Sequence, residues 1–171
     1  MEGFRSEGVD YALIGGFALA LWGVQRATVD LDFLVQRYGL PAIDRLMGQL
    51  GYTCRYRTEN VSQFVAGDAL LGEVDYLHAF RVASLEMLAR AVERPVFGGA
   101  LRVRVLRPED LIGLKVQALH NDPRREALDT EDIRQLMALH ADALDWPRIE
   151  GYFALFGREG LYRQLRGHPG P

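Results

Sequence analysis

Residues 13–35 are LIGGFALALWGVQRATVDLDFLV, and this segment indicates the architecture of the first half of the chain. An apolar run ends at Gly15–Gly16, a pair that marks a turn. Residues 17–22 are rich in Ala and Leu, which favour a turn of helix. Residues 28–35 alternate between polar and apolar side chains, which predicts a strand with one buried face. The segment therefore predicts a strand, a glycine turn, a short helix and a second strand.

Two acidic residues, Asp30 and Asp32, stand one residue apart inside the second predicted strand. Both carboxylates then share one face, with Cα atoms roughly 6.6 Å apart. Two ionised carboxylates held this close repel each other, and a divalent cation relieves the repulsion. Oxygen ligands suit Mg²⁺ or Mn²⁺ better than zinc. The alternative is an ordinary half-exposed strand with a polar outer face. The opposite face is expected to be buried and carries Val29, Leu31, Phe33 and Val35.

Further polar groups fall on the same predicted face. Arg26 and Thr28 share the parity of the two aspartates, and a guanidinium beside metal-bound carboxylates suits a polyphosphate. The turn at Gly15–Gly16 exposes backbone N–H groups where phosphate can bind, although a plain tight turn is the alternative. Asp75 would complete a three-carboxylate site if its strand lies beside the strand of Asp30, and Glu73 is the rival candidate.

The rest of the chain divides into a mixed first part and a helical last part. The predicted strands are 9–14, 28–35, 52–57, 61–66, 73–80 and 101–106. The predicted helices are 41–50, 84–92, 108–121, 129–141 and one that begins near 145–147. Pro41 and Pro108 suit helix starts, and Ser84 is a candidate N-cap. We expect an α/β fold of the α+β type, with a mixed-sheet core over 1–107 and a helical part over 108–171.

Composition excludes several classes of protein. Cys54 is the only cysteine of 171 residues, so an intramolecular disulfide and a cysteine-rich zinc site are excluded. The net charge of −3 argues against indiscriminate nucleic-acid binding. The first residues lack the pattern of a signal peptide, and no apolar run is long enough to cross a bilayer. We expect a cytoplasmic protein with no membrane partner.

At these residues the sequence resembles the nucleotidyltransferase superfamily of DNA polymerase beta, and within it the AbiEii-like toxins and related bacterial nucleotidyltransferases. The family signature is a Gly-Gly turn with a nearby alanine, followed by G-x-x-R-x-T-x-D-h-D, where h is apolar. This signature is matched by Gly15, Gly16, Ala18, Gly23, Arg26, Thr28, Asp30 and Asp32. Later motifs are matched by Val74-Asp75-Tyr76-Leu77, by the helix from Pro108 to Lys115, and by Asp129 and Asp132. The resemblance spans roughly residues 9–137.

The resemblance implies a mixed-sheet nucleotidyltransferase core that moves a nucleoside monophosphate from an NTP to an acceptor hydroxyl and releases pyrophosphate. It makes Asp30, Asp32 and Asp75 the catalytic residues and the ligands of Mg²⁺ or Mn²⁺. The nucleotide-binding residues that it implies are Gly15, Gly16, Arg26, Thr28 and Lys115. For Lys115, an ordinary solvated helix lysine is the alternative.

The chain departs from the family pattern at two positions. Gly16 stands where many members have a serine, and Leu128 stands where this branch often has a lysine. The second departure leaves Asp129 and Asp132 either functional or simply acids at a helix start.

The acceptor is predicted less directly than the chemistry. The resemblance favours RNA, in particular tRNA ends, with an antitoxin as a protein partner. An RNA acceptor needs clustered positive charge, and residues 102–107 and 124–125 offer five arginines. An aminoglycoside acceptor would instead need acids such as Glu73. A catalytically degenerate nucleotide-binding domain is the third hypothesis.

Overall fold

The computed structural model describes residues 2–68 and 71–167. Their seven strands form one mixed sheet in the order β3-β4-β5-β2-β1-β7-β6. The strands are β1 (Tyr11–Ile14), β2 (Leu31–Gln36), β3 (Tyr52–Arg57), β4 (Val61–Ala66), β5 (Val74–Ala79), β6 (Val92–Val96) and β7 (Leu101–Val105). The pairs β2–β5 and β1–β7 are parallel, and the other neighbours are antiparallel.

Eight α-helices are described in the same residues. They are α1 (Glu2–Ser6), α2 (Gly15–Leu21), α3 (Leu40–Gln49), α4 (Val82–Arg90), α5 (Pro108–Asn121), α6 (Glu126–His140), α7 (Trp146–Leu155) and α8 (Glu159–Gly167). Three short 3-10 turns occur at Arg37–Gly39, Phe97–Gly99 and Pro123–Arg125. The observed α/β architecture is the predicted fold class.

Strand β2 lies near the centre of the sheet, between β5 and β1. Phe33, Leu34 and Val35 are all buried, so the strand is covered on both faces and its burial does not alternate there. The predicted buried face is wrong at its beginning, because Val29 lies before the strand with 76% of its surface exposed and Leu31 is also exposed. The strand starts at Leu31, and Asp30 is therefore the last residue of the extended segment that leads into it.

One face of the sheet carries an aromatic core. Phe33 stacks on Tyr76, with ring centroids 5.7 Å apart, and Phe64 meets Tyr76 edge-on at 5.5 Å. Phe4 of α1 adds edge contacts to Phe33 and Tyr76. The Tyr76 hydroxyl is buried and donates to the Met47 sulfur of α3 at 3.1 Å, so this polar group has a hydrogen-bond partner. Because Phe33, Phe64 and Tyr76 point to this face of the sheet, the residues before them in sequence point to the opposite face. These residues are Asp32, Gln63 and Asp75.

The helices at the end of the chain build a second core. Helix α5 begins with Pro108 followed by Glu109 and Asp110, a start that suits the helix dipole. The buried residues of this core include Leu111, Ile112, Val116, Leu119, Ile133, Leu136, Ile149 and Phe153. Gly113 lets Tyr152 approach closely, since a Cβ built there would lie 2.7 Å from the Tyr152 ring. None of the helices in the described part of the chain combines the length and apolarity needed to span a membrane.

The chain forms two compact units. One comprises residues 1–18 and 26–106 and contains the whole sheet, and the other comprises 19–25 and 107–171. The predicted division placed all of residues 1–107 in the core, whereas residues 19–25 group with the helical unit. The prediction of Ser84 as an N-cap is wrong: α4 begins after Arg81, and the Ser84 hydroxyl donates to the Arg81 carbonyl at 2.9 Å.

Candidate functional site

Three aspartates lie at the start of the parallel strands β2 and β5. Asp32 and Asp75 are direct register partners, so their side chains leave the same face on adjacent strands. Neighbouring strands lie about 4.8 Å apart, which places the two carboxyl groups within reach of a shared ligand. Asp30 joins them at the strand start, where its Oδ1 accepts a hydrogen bond from the Glu73 N–H at 3.3 Å. The strand adjacency on which a three-carboxylate site depends is therefore present.

A close backbone approach sets the position of Asp30. The Leu31 N–H donates to the Glu73 carbonyl at 3.0 Å and pins the two strand starts together. Gly72 precedes this contact, and a Cβ built on it would overlap the Val29 carbonyl oxygen. A glycine at this position is the local sequence feature that permits the approach, and the sequence analysis did not identify it.

Asp75 is the most unusual carboxylate of the three. Its Oδ1 is buried and accepts no hydrogen bond. Burial raises the pKa of Asp75 above its ordinary value, the negative charges of Glu73 and Asp30 raise it further, and hydrogen bonding by Gln63 and the charge of Arg55 oppose the shift. A half-buried carboxylate with an orphaned oxygen beside two further acids gains from a cation or a proton.

The chemistry of these oxygens fits a divalent cation such as Mg²⁺ or Mn²⁺. The donors are carboxylates alone, and the orphaned Oδ1 of Asp75 has a coordination position to fill. Within residues 2–68 and 71–167, no three His, Cys, Asp or Glu side chains stand close enough together to form a ready-made metal cage. Asp30 is hydrogen-bonded to the Glu73 amide and Asp75 to Gln63, so binding of one ion by all three carboxylates would require these contacts to change.

The glycine turn lies against the same face. Gly15 has φ +63°, a left-handed conformation that favours glycine, and a Cβ on it would overlap the Asp32 carboxylate. A Cβ on Gly16 would lie 2.7 Å from the Cβ of Thr28 and 2.9 Å from its hydroxyl oxygen. The two glycines therefore keep side chains out of the space beside Asp32 and Thr28. Arg26 lies in the extended segment before β2 and is half-buried.

A polar network extends from Asp75 across the two outer strands. Gln63 on β4 is the register partner of Asp75, and its Nε2 donates to Glu73 Oε2 at 2.8 Å. Arg55 on β3 donates to Gln63 Oε1 at 2.7 Å and pairs with Glu73 at 3.0 Å. Arg55 and Gln63 were not identified in the sequence analysis, because no local motif marks them. The register that brings them to Asp75 is a property of the folded sheet.

Lys115 belongs to the helical unit and is not a solvated helix lysine. Only 8% of its surface is exposed, and its Nζ lies 2.7 Å from Asp129 Oδ1 and 2.6 Å from Asp132 Oδ2. Arg125 adds a hydrogen bond to Asp129 at 2.8 Å. Burial tends to raise the pKa of Asp129, but the bonds from Arg125 and Lys115 outweigh it and hold the pKa below its ordinary value. Asp129 and Asp132 are thus the buried partners of Lys115.

The arginines proposed as a cationic patch mostly have carboxylate partners. Arg102 pairs with Glu93 at 3.1 Å, and Arg104 pairs with Asp10. In the helical unit, Arg124 pairs with Asp122 and Arg125 with Asp129, both at 2.8 Å. These pairings reduce the free positive charge that an RNA backbone would meet at those positions.

Comparison with known proteins gives one family and several fold relatives. The family model for the AbiEii toxin nucleotidyl transferase of type IV toxin–antitoxin systems matches residues 3–168. The antibiotic-resistance factor ANT(2'')-Ia shares the fold with a TM-score of 0.69 at 17% identity, over 98% of this chain and 93% of that one. The lincosamide adenylyltransferase LnuA has a TM-score of 0.56 at 14% identity, over 81% and 92%.

A nucleotidyltransferase-like protein from Paracoccidioides brasiliensis gives a TM-score of 0.57 at 17% identity, over 96% of this chain and 88% of that one. No curated protein sequence is similar enough to the chain to count as a match.

Proposed function

The chain belongs to the AbiEii nucleotidyl transferase family, and from this premise we propose that it transfers a nucleoside monophosphate from an NTP to a hydroxyl of an RNA acceptor in a divalent-metal-dependent reaction. The observation that carries the proposal is the register of Asp32 against Asp75, with Asp30 beside them at the strand start. Three carboxylates on one open sheet face suit the binding of cations and of the phosphates that cations neutralise.

The reaction forms one bond and breaks one. The acceptor oxygen attacks the α-phosphorus, the bond from that phosphorus to the bridging oxygen breaks, and pyrophosphate leaves. When bound, a pair of divalent ions would supply charge stabilisation to the attacking and leaving oxygens. Asp30 and Asp32 would bind the cations and, through them, the phosphates of the nucleotide. Asp75 would bind the cation nearer the acceptor hydroxyl. Asp75 would also receive the proton of the hydroxyl, a role that its burial favours.

The glycine turn and its neighbours would hold the triphosphate. The two glycines let Asp32 and Thr28 lie directly against the turn, and the backbone N–H groups of the turn would bind a phosphate. Arg26 would add a guanidinium to the phosphate site.

We propose RNA, rather than a cationic drug, as the acceptor. The resemblance to the AbiEii toxins supports an RNA acceptor and an antitoxin partner. It also supports a cytoplasmic location for the protein. Glu73 is the acid that a cationic aminoglycoside would need, and it is already paired with Arg55. The fold relatives ANT(2'')-Ia and LnuA are antibiotic-modifying enzymes by description, which makes a drug acceptor the second candidate.

The test incubates the protein and Mg²⁺ with each α-labelled NTP in turn, offering bulk tRNA, total RNA or a panel of aminoglycosides. We expect label on RNA, and loss of that label by at least a hundredfold in Asp75→Asn and in Asp30→Ala/Asp32→Ala. Omission of the divalent ion should abolish transfer as completely. Asp44→Asn is the matched control, since it removes a carboxylate from α3 that pairs with Arg57 away from the site.

Each result assigns the acceptor or rejects the proposal. Label on a drug but not on RNA would transfer the assignment to the second candidate. No transfer and no Mg²⁺-dependent NTP binding would favour a degenerate domain. Equal loss of activity in Asp44→Asn would mean that the carboxylates act through general stability and not through a shared site.

A further inference from the structure

The polar network on β3 and β4 has no role in holding the nucleotide, yet it continues the face of the three aspartates. We propose that Arg55 and Gln63 form the acceptor subsite, in which Arg55 binds the phosphate group next to the reacting hydroxyl of a polynucleotide. This inference rests on the proposed function, because the reacting hydroxyl is the one that Asp75 would face.

Arg55 owes its position to an irregularity in the sheet. The register between β3 and β4 pairs Cys54 with Phe64 and then Tyr56 with Gln63, so Arg55 is an extra residue on β3. Such a bulge re-aims a side chain and is common beside functional sites. The guanidinium lies against the Gln63 amide, with Nε at 3.1 Å and Nη2 at 2.7 Å from Oε1. The bulge therefore delivers one cation to an otherwise acidic face.

Gln63 links this cation to the third aspartate. Its carbonyl oxygen accepts from Arg55, so its Nε2 must point the other way, where it donates to Glu73 at 2.8 Å. Gln63 also hydrogen-bonds to Asp75 and lowers the pKa of that carboxyl. The amide thus fixes Arg55 at one side and Asp75 at the other, which sets the separation between a bound phosphate and the reacting hydroxyl.

The present partner of Arg55 can be exchanged. Arg55 and Glu73 are 54% and 37% exposed, and ion pairs in solvent contact contribute little stability. A phosphodiester accepts the same forked pair of hydrogen bonds that a carboxylate does, and it carries the same single negative charge. An incoming phosphodiester therefore displaces Glu73 from Arg55, while Gln63 keeps the guanidinium in place.

The same arrangement disfavours a cationic acceptor. The positive charge of Arg55 offsets the charge of Glu73, which weakens the attraction of this acid for a polycation. A polynucleotide instead meets the Arg55 guanidinium, which can bind a phosphate and which Gln63 links to Asp75. The subsite predicts selection of acceptors that carry a phosphate beside the hydroxyl.

Binding of RNA without chemistry tests the subsite separately from the reaction. The probe is bulk tRNA, titrated into Asp75→Asn protein with and without Arg55→Gln, followed by fluorescence anisotropy at several salt concentrations. We expect Arg55→Gln to raise Kd about tenfold and to reduce the salt slope by about one, since one phosphate contact is lost. Arg57→Gln is the matched control on the same strand, where Asp44 occupies the guanidinium, and it should leave both values unchanged.

Transfer kinetics complete the test. With Asp75 intact, Arg55→Gln should raise KM for tRNA about tenfold and leave KM for the NTP unchanged. RNA labelling by the wild type with an unchanged KM and salt slope in Arg55→Gln would overturn the subsite and leave the proposed function standing. No RNA labelling by the wild type would overturn both. Faster labelling of an aminoglycoside in Arg55→Gln, together with the raised KM for tRNA, would support Arg55 as the group that disfavours a cationic acceptor.

Discussion

The smallest feature of the site is the contact between Gly16 and Thr28. Side-chain atoms of Thr28 occupy the space that a Cβ at position 16 would need, with three of them at 2.7, 2.8 and 2.9 Å. The Thr28 hydroxyl lies near the place that a side chain at position 16 would occupy, so Thr28 can offer the phosphates a hydroxyl that Gly16 lacks.

This contact predicts coupling between the two positions. Gly16→Ala should destabilise the protein by about 1–3 kcal/mol through overpacking, and Thr28→Gly should remove the clash, so the double variant should lose less than the two single losses added together. Urea unfolding of the four proteins measures the coupling free energy. Additive losses would show that the chain relieves the contact by shifting the turn instead.

His78 is a buried titratable group that the reaction does not use. Its Nδ1 lies 3.0 Å from the Glu59 carbonyl and must carry the proton, so Nε2 accepts from the Ser62 hydroxyl at 3.0 Å. Burial lowers the pKa of His78, and the charges of Arg57 and Arg37 lower it further. The folded state therefore keeps the ring neutral at a pH where the unfolded chain has already bound a proton.

The sign of the pH dependence follows from that difference. Stability should fall as pH decreases below about 6.5, the ordinary pKa of histidine, at no more than about 1.4 kcal/mol per pH unit for one proton. His78→Gln should lose part of its stability at pH 7.5 but show a flatter profile between pH 6.5 and 5. Urea unfolding of both proteins across this range measures the difference, and parallel profiles would contradict the prediction.

At the scale of elements, local patterns located most of the strands and helices. The predicted strands 52–57 and 61–66 coincide with β3 and β4, because each segment carries β-favouring residues between turn signals. The predicted helix 108–121 coincides with α5, where a proline and two acids mark the start. The elements that were not predicted are α1, β6 and α8. Helix α1 has five residues, among them the buried Phe4, whereas β6 contains Pro95 and pairs with β7 at the edge of the sheet.

The candidate site was predictable in part for the same reason. Asp30, Asp32 and the glycine turn lie within one segment, so local spacing points to them. The adjacency of Asp75 requires the parallel pairing of β2 with β5, and local sequence does not determine which strands pair. Arg55 depends on a bulge as well as on pairing, which places it beyond any local pattern.

A buried ion cluster links helices α5 and α6. Lys115 on α5 contacts Asp129 and Asp132 on α6, and all three side chains are buried. Removal of one partner from a buried ion cluster leaves charge without compensation, so Lys115→Met should lower the free energy of unfolding by roughly 3–5 kcal/mol. Arg134→Gln breaks an exposed pair with Glu131 on the same helix and should change it by no more than about 0.5 kcal/mol.

Chemical denaturation of Lys115→Met, Arg134→Gln and the wild type measures these changes in the free energy of unfolding. Equal losses would mean that the Lys115 cluster contributes no more than a surface pair. Lys115→Arg should lose less stability than Lys115→Met, because it keeps a cation beside Asp129 and Asp132.

For the molecule as a whole, the charge of Asp75 that the proposed site needs also lowers the stability of the free protein. Asp75 carries an orphaned oxygen and a pKa raised first by burial and then by the charges of Glu73 and Asp30, so ionisation of this carboxyl is less favourable in the folded protein than in the unfolded chain. Groups arranged to receive a ligand commonly destabilise the free protein. The free protein should therefore become more stable when this charge is removed, although the site loses its function.

Thermal unfolding with and without ligand tests this opposition directly. Without ligand, Asp75→Asn should raise Tm by about 2–4 °C, the shift that roughly 1 kcal/mol produces in a chain of this size, whereas Asp44→Asn should lower it slightly by breaking the pair with Arg57. Mg²⁺ with the preferred NTP at about a hundred times Kd should raise the Tm of the wild type by about 5–10 °C, and that of Asp75→Asn by much less. Should Asp75→Asn lower the Tm of the free protein and keep the full ligand response, Asp75 would be a structural residue, because neither charge relief nor cation binding would then depend on it.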